Sequence, residues 1–250
     1  MPSPEVEFEA ELEVFRREAE SAVQFFYAWR TVNEVAAGSK AVVATLNKAP
    51  LFWNTALGAL QTASFIALGR VFDQEQDTRN IDRALRIAQR NPEIFSLEAL
   101  GKRKQGSSPN AHEWLAEYLR AAYIPTPDDF RRLRKHVAAR RKVYAECFRP
   151  LRHNVFAHKH MFKQDEVHDL YANAKIKDLQ QLLVFLRRLH EALWELLFNG
   201  RKPVLRPARY SVSQMIARPR QQGRSLQERL THETEAFLKL ISQNPSTLPR

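Results

Sequence analysis

KIKDLQQLLVFLRRLHEALWELLFNG, residues 175–200, is the stretch whose reading decides the fold. Ile176, Leu179, Leu182, Leu183, Phe185, Leu186, Leu189, Leu193, Trp194, Leu196 and Leu197 return at three- and four-residue steps. That is the period of an α-helix with a wide apolar face, so the spacing predicts a deeply buried helix over 175–199. Asn199-Gly200 ends it, glycine being the usual residue just past a helix. Working outward, Phe8, Leu12, Phe15, Ala19, Val23, Phe26 and Trp29 predict a long amphipathic helix over 5–36. Residues 40–73 form a second helical run. Pro50 opens its longer half, where a first-turn proline loses nothing. Only 7 of 250 residues are glycine, and long Ala/Leu/Glu/Arg/Gln-rich stretches favour helix. The fold class is all-α.

The remaining punctuation fits. Residues 74–79 read as a loop, and Asn80 caps a short helix to Gln89. Residues 90–126 read as an irregular insertion, with a mobile loop over Gly101–Asn110 and a helix from Ala111 to Tyr123. Thr126-Pro127-Asp128-Asp129 combines a capping threonine, a first-position proline and first-turn acids, so a helix starts there. It runs towards 158, with a kink or break expected at 149–150 because Pro150 lacks a donor and collides with the carbonyl four residues back. Residues 161–174 read as a loop, 201–224 as an extended basic arm, and Ser225–Gln243 as a final helix. The expected units are therefore a bundle over 1–200, the arm over 201–224, and a C-terminal helix and tail over 225–250.

The formal net charge is +11, and it is concentrated. Residues 131–152 hold nine Lys/Arg and one acid, and 201–224 hold seven and none, so the rest of the chain is net −4. Clustered basicity suits a polyanion such as RNA or DNA. One cysteine, Cys147, excludes an intrachain disulfide and fits a reducing compartment. Met1-Pro2-Ser3-Pro4 followed by glutamates lacks the pattern of a secretion signal. No stretch reaches about 18 uninterrupted apolar residues. A cytoplasmic protein without a membrane partner is expected.

LRHNVFAH, residues 151–158, carries the chemistry. Histidine transfers protons near neutral pH. A planar guanidinium binds two phosphate oxygens at once. Arg152 therefore suits a phosphate on which charge develops, and His158 suits a general base or acid. Asn154, four residues before His158, shares its helical face and can orient the phosphate or the imidazole. On one regular helix, Arg152 and His158 would stand about 120° apart around the axis. Either the helix ends between them or a second subunit supplies one of the pair.

Arg152-(five residues)-His158 matches the Arg-x(four to six)-His signature of HEPN domains. The chain resembles their AbiU-type branch, known from abortive infection of phage-attacked bacteria. The other matching pieces are Phe25-Phe26-Tyr27-Ala28-Trp29, Phe52-Trp53-Asn54 and Leu68-Gly69-Arg70-Val71-Phe72-Asp73. The resemblance implies an up-and-down bundle with a four-helix core and a homodimer with both motifs in one cleft. It also implies metal-independent RNA cleavage through the ribose 2′-hydroxyl, with no cofactor, in a toxin or defence protein restrained by an antitoxin or companion. Arg152, His158 and Asn154 would be the catalytic residues. Arg131, Arg132, Arg134, Lys135, Arg140 and Arg141 would guide the RNA backbone, and Arg149, His153, Lys159 and His160 would hold it near the cut. Family members that have lost catalysis only bind, so a non-catalytic all-helical module for RNA, a nucleotide or a protein is the competing expectation. In members controlled by a nucleotidyltransferase, a tyrosine stands two residues after the histidine. Here His160 occupies that place, which disfavours such control.

Other candidates are weaker. His153, His158, His160 and His168, with Asp165, Glu166 and Asp169, suit zinc or manganese by residue type but lack a ligand spacing, so no metal site is expected. His190 reads as a core histidine, Arg70 and Asp73 as an ion pair, and Cys147 as a small buried residue. Phe25, Phe26, Tyr27, Trp29, Phe52 and Trp53 read as core, because they fall on helical stripes.

Overall fold

A computed structural model describes residues 2–75, 78–107, 110–153, 170, 172–208, 211–218 and 225–243. Helices dominate, and no strand occurs among the described residues. α1 spans Pro4–Gly38, α2 Lys40–Leu46 and α3 Pro50–Phe72. α4 spans Ile81–Arg90, α5 Leu97–Ser107, α6 Ala111–Ala121 and α7 Pro127–Val143. α8 is Ile176–Asn199, α9 Val212–Ala217 and α10 Leu226–Gln243.

α1 is the central strut. α3 runs antiparallel to it: Arg70 meets Glu18 at 3.4 Å, the Ser64 hydroxyl donates to the Ala22 carbonyl at 3.2 Å, and Trp53 and Leu57 pack near Val32. α8 lies on α1 with His190 beside Phe15. Phe8, Phe26, Leu68, Leu133, Leu182, Leu186 and Leu193 are buried in one core cluster drawn from α1, α3, α7 and α8. Burying such a side chain contributes about 1.5–3 kcal/mol. The periodic leucines of residues 175–200 thus do what their spacing predicts. Gly200 closes α8 at φ +56°, in the left-handed region where a side chain would be strained.

Local signals also hold. The Asn80 side chain accepts from the Arg83 N–H at 3.1 Å. Asp129 accepts from both the N–H and the hydroxyl of Thr126 at 2.8 Å and from the Tyr123 hydroxyl at 2.7 Å, and it pairs with Arg132. Burial alone would raise its pKa. The bonds from Thr126, Tyr123 and Arg132 outweigh burial and hold it at about 2. A carboxylate depressed on folding stabilises the protein above its ordinary pKa of 3.8 and loses that contribution as pH falls towards 2. Urea unfolding should therefore show Asp129→Asn weaker than wild type by about 1–2 kcal/mol at neutral pH. The gap should close between pH 4 and pH 2; a gap that persists at the acid end would contradict this account.

Three expectations need correction. The loop expected over Gly101–Asn110 is helix as far as Ser107. Distant partners hold it: Arg103 bonds Glu5 at 2.5 Å and the Ile94 carbonyl at 2.9 Å, and Lys104 bonds Asn199 at 2.8 Å. Within the loop expected at 161–174, Leu170, Ala172 and Asn173 are helical, and 161–169 lie outside the described residues. The extended arm contains α9, because Val212 and Met215 are buried in the core and Ser213 bonds Glu34 on α1 at 2.5 Å.

The proline has an unexpected consequence. At the kink or break expected at 149–150 the helix is distorted rather than interrupted. Tyr144–Phe148 widens into a π-turn, in which the Arg149 N–H reaches back five residues to the Tyr144 carbonyl. A further α-turn, Arg149–Leu151, follows. Widening moves the carbonyl that the Pro150 ring would strike and accommodates the missing donor. The helix therefore carries Phe148 and Leu151, both fully buried, directly into Arg152.

Candidate functional site

Arg152 follows the π-turn and lies across α3 at Gly69. An ideal Cβ on Gly69 would stand 2.5 Å from the Arg152 Nε, 2.7 Å from its Cζ and 2.8 Å from its Cδ. No other residue type leaves that room. Glycine inside a helix costs about 1 kcal/mol against alanine, and here the close approach explains its presence. The Arg152 Nε is closed to solvent, so an anion reaching this side chain meets the two Nη nitrogens instead.

Tyr144 forms the other wall. Its ring stacks on Phe72 at 5.2 Å with an interplanar angle of 22°. Its hydroxyl is buried beside Arg152, near enough to feel the guanidinium but without an aligned hydrogen bond among the described residues. Burial pushes the Tyr144 pKa up. The charge and approach of Arg152, and the charge of Arg149, oppose that rise, while Asp73 adds to it. The hydroxyl keeps its proton at neutral pH. An unsatisfied buried polar atom costs about 1–3 kcal/mol, and such costs concentrate where function needs them. Arg103, Arg134 and Arg141 also bury an Nε without a hydrogen bond; Glu5 and Asp82 take the terminal nitrogens of Arg103 and Arg141, while Arg134 makes no ion pair among the described residues. Arg152 has no ion pair among the described residues.

Of the residues nominated from sequence, Asn154, His158, Lys159 and His160 lie outside the described residues. His153 and Arg149 are exposed, next to Arg152. Arg131 and Arg132 are exposed but paired with Asp128 and Asp129 of their own helix. Lys135 is exposed, and Arg134 is half-buried. Arg140 approaches Gln181 at 3.5 Å and lies 5.9 Å over the Phe185 ring. Arg141 is only 15% exposed and joins α7 to α4 through Asp82. Basic side chains thus recur from Arg131 to Arg149, roughly 27 Å along the helix at 1.5 Å per residue, but Arg131, Arg132, Arg141 and Lys142 are paired with acids, and Lys135 and Arg149 are the exposed ones without an ion pair among the described residues.

Arg70 does not pair with Asp73. α3 ends at Phe72, and Asp73 turns away to accept the N–H groups of Gln74 and Glu75 at 2.7 and 3.2 Å, which leaves Arg70 to Glu18. Phe52 is not core: it is 64% exposed at the start of α3. Cys147 is half-buried, and burial, then Asp178 and Glu146, push its thiol pKa up, away from a nucleophile's range. Burial, with Arg16, pushes the His190 pKa down. His190 lines a groove of about 370 Å³ between α1 and α8 with Glu9, Glu13, Arg16, Glu191 and Glu195, where acids outnumber the one arginine. Among the described residues no group of three could hold a metal ion. The histidine cluster at 158–168 lies outside them.

Sequence reasoning missed Gly69 and Tyr144 as parts of the site. The signal for Gly69 was present: an uncapped glycine within an apolar helical run.

The model of the AbiU2 HEPN family matches residues 5–214. No curated protein and no solved structure matches the chain. The matched region takes in α1, the glycine notch on α3, the π-turn and the Arg152 motif, so the chain belongs to the AbiU2 family of HEPN-domain proteins.

Proposed function

We propose that this protein is a metal-independent endoribonuclease acting as a homodimer in defence against phage. The observation that carries the reading is the seating of Arg152 on Gly69, which closes its Nε and leaves the two Nη nitrogens as the groups that would meet a phosphate. In this reading the ribose 2′-hydroxyl attacks the adjacent phosphate, closing a 2′,3′-cyclic phosphate and breaking the bond to the 5′-oxygen of the next nucleotide, which leaves with a proton. Arg152 stabilises the growing negative charge, His158 moves the proton, and Asn154 orients the reacting groups. The basic side chains from Arg131 to Arg149 align the RNA backbone. No metal enters the scheme.

The dimer has its own support. The formal charge of +11 makes two copies repel, which favours a meeting on an uncharged face. Residues 49–69 contain no charged side chain. Leu51 is 82% exposed and Phe52 64%. α3 is the one helix, among the described residues, long and apolar enough by composition to cross a membrane. Its second half is instead core, with Phe65, Leu68, Val71 and Phe72 buried. A partner's α3 would cover the exposed first half.

The test is incubation of the purified chain with labelled RNA in excess EDTA, beside the same oligonucleotide carrying 2′-deoxyribose. Cleavage of RNA alone, leaving 2′,3′-cyclic phosphate ends, is the expected result. Tight binding without cleavage would replace the enzyme by a binding module, and cleavage only with added metal would refute the mechanism.

A further inference from the structure

We infer that Gly69 and Tyr144 are positioning residues that set the pose of Arg152, so that phosphate is gripped end-on by its two Nη nitrogens. The inference deepens the ribonuclease reading and rests on it for the role of the phosphate. The pose itself rests on geometry alone.

Three contacts define the pose. The Gly69 notch receives Nε, Cζ and Cδ at distances that a methyl group would occupy. The Tyr144 ring is held by its stack on Phe72, so its hydroxyl cannot drift from the guanidinium. Phe148, one turn before Arg152, and Leu151, immediately before it, are fully buried, which fixes the backbone from which the side chain departs. Arginine loses many rotamers when it binds an anion, and a side chain already held in one rotamer loses fewer. A guanidinium offering Nε with one Nη approaches phosphate from its side. With Nε against α3, only the end-on fork remains. Tyr144 is too buried to touch RNA, so it acts only through Arg152.

The test uses Gly69→Ala and Tyr144→Phe in the full chain, with two readouts. The first is kinetic. Displacing a catalytic group by about an ångström costs up to about a hundredfold in rate. Gly69→Ala should lower kcat between about tenfold and a hundredfold with KM within about threefold. Tyr144→Phe, which keeps the ring stack, should show a smaller fall of the same kind. The second needs no RNA. Buried Nε–H groups exchange slowly with water, so the Arg152 Nε–H should give a persistent NMR cross-peak, assigned by its loss in Arg152→Ala. That peak should vanish or exchange rapidly in Gly69→Ala while the thermal melt stays cooperative. An unchanged peak in Gly69→Ala would overturn the inference, as would unchanged kcat beside an active wild type. If wild type cuts no RNA but the peak behaves as stated, the socket stands and the ribonuclease reading alone fails.

Discussion

Arg152→Ala should abolish EDTA-resistant RNA cleavage, by at least about a hundredfold in kcat, without loosening the fold. The two halves of that expectation have different physical origins. Removing a preorganised donor from a developing oxyanion costs about 3 kcal/mol of transition-state stabilisation. Removing most buried arginines would also strand an acid, but Arg152 has no paired acid among the described residues, and its Nε is unsatisfied. Truncation therefore relieves one unsatisfied donor and leaves no uncompensated charge. His158→Ala should lose between about a hundredfold and ten-thousandfold, the usual contribution of a proton-transfer group. The two variants then test where the site is built. If each site takes Arg152 from one chain and His158 from the other, refolding an equal mixture gives half heterodimers, each with one intact site. About a quarter of wild-type activity should return. A site built within one chain recovers nothing on mixing, and that result would refute the shared cleft while sparing the chemistry.

The parts of this protein that were legible in sequence are those fixed by neighbours along the chain. The α8 leucines repeat every turn, so their burial needs no tertiary knowledge. Asn80 and Thr126 act on groups three residues away. The α5 helix was read as a loop because Gly101, Gly106 and Ser107 are poor local helix formers; Glu5 and Asn199, which hold it through Arg103 and Lys104, come from α1 and α8. Phe52 was read as core because periodicity finds an apolar face but not what covers it. At the candidate site, Arg152 was legible from residue type and spacing. Its socket was not, since nothing near Gly69 in sequence says which side chain will fill the missing Cβ position. The proline signal marked where the helix is distorted but not the form of the distortion. A helix can answer a missing donor by widening as well as by breaking, and the burial of Phe148 and Leu151 favours widening here.

That burial sets a large stability effect. Phe148 sits within the π-turn, fully buried, with its ring 6.0 Å from that of Phe65 on α3. Phe148→Ala removes an aromatic side chain from a core pinned on both sides, so the cavity can collapse little. The cost should be about 3–5 kcal/mol. In a chain of this size each kcal/mol lowers Tm by about 2–4 °C, so the melt followed by circular dichroism should fall by roughly 6–20 °C. The consequence for the site is separate. With no ring holding the π-turn against α3, the turn can return to α-helical register, in which Pro150 meets the carbonyl four residues back and Arg152 leaves Gly69. Cleavage should then fall further than the unfolded fraction explains, at temperatures well below the melt. Phe148→Leu separates the effects. It fills most of the volume and should cost less than about 1.5 kcal/mol, so a well-folded variant with near-normal kcat is expected. If Phe148→Ala lost stability but kept full activity per folded molecule, the π-turn would be a packing feature without influence on Arg152.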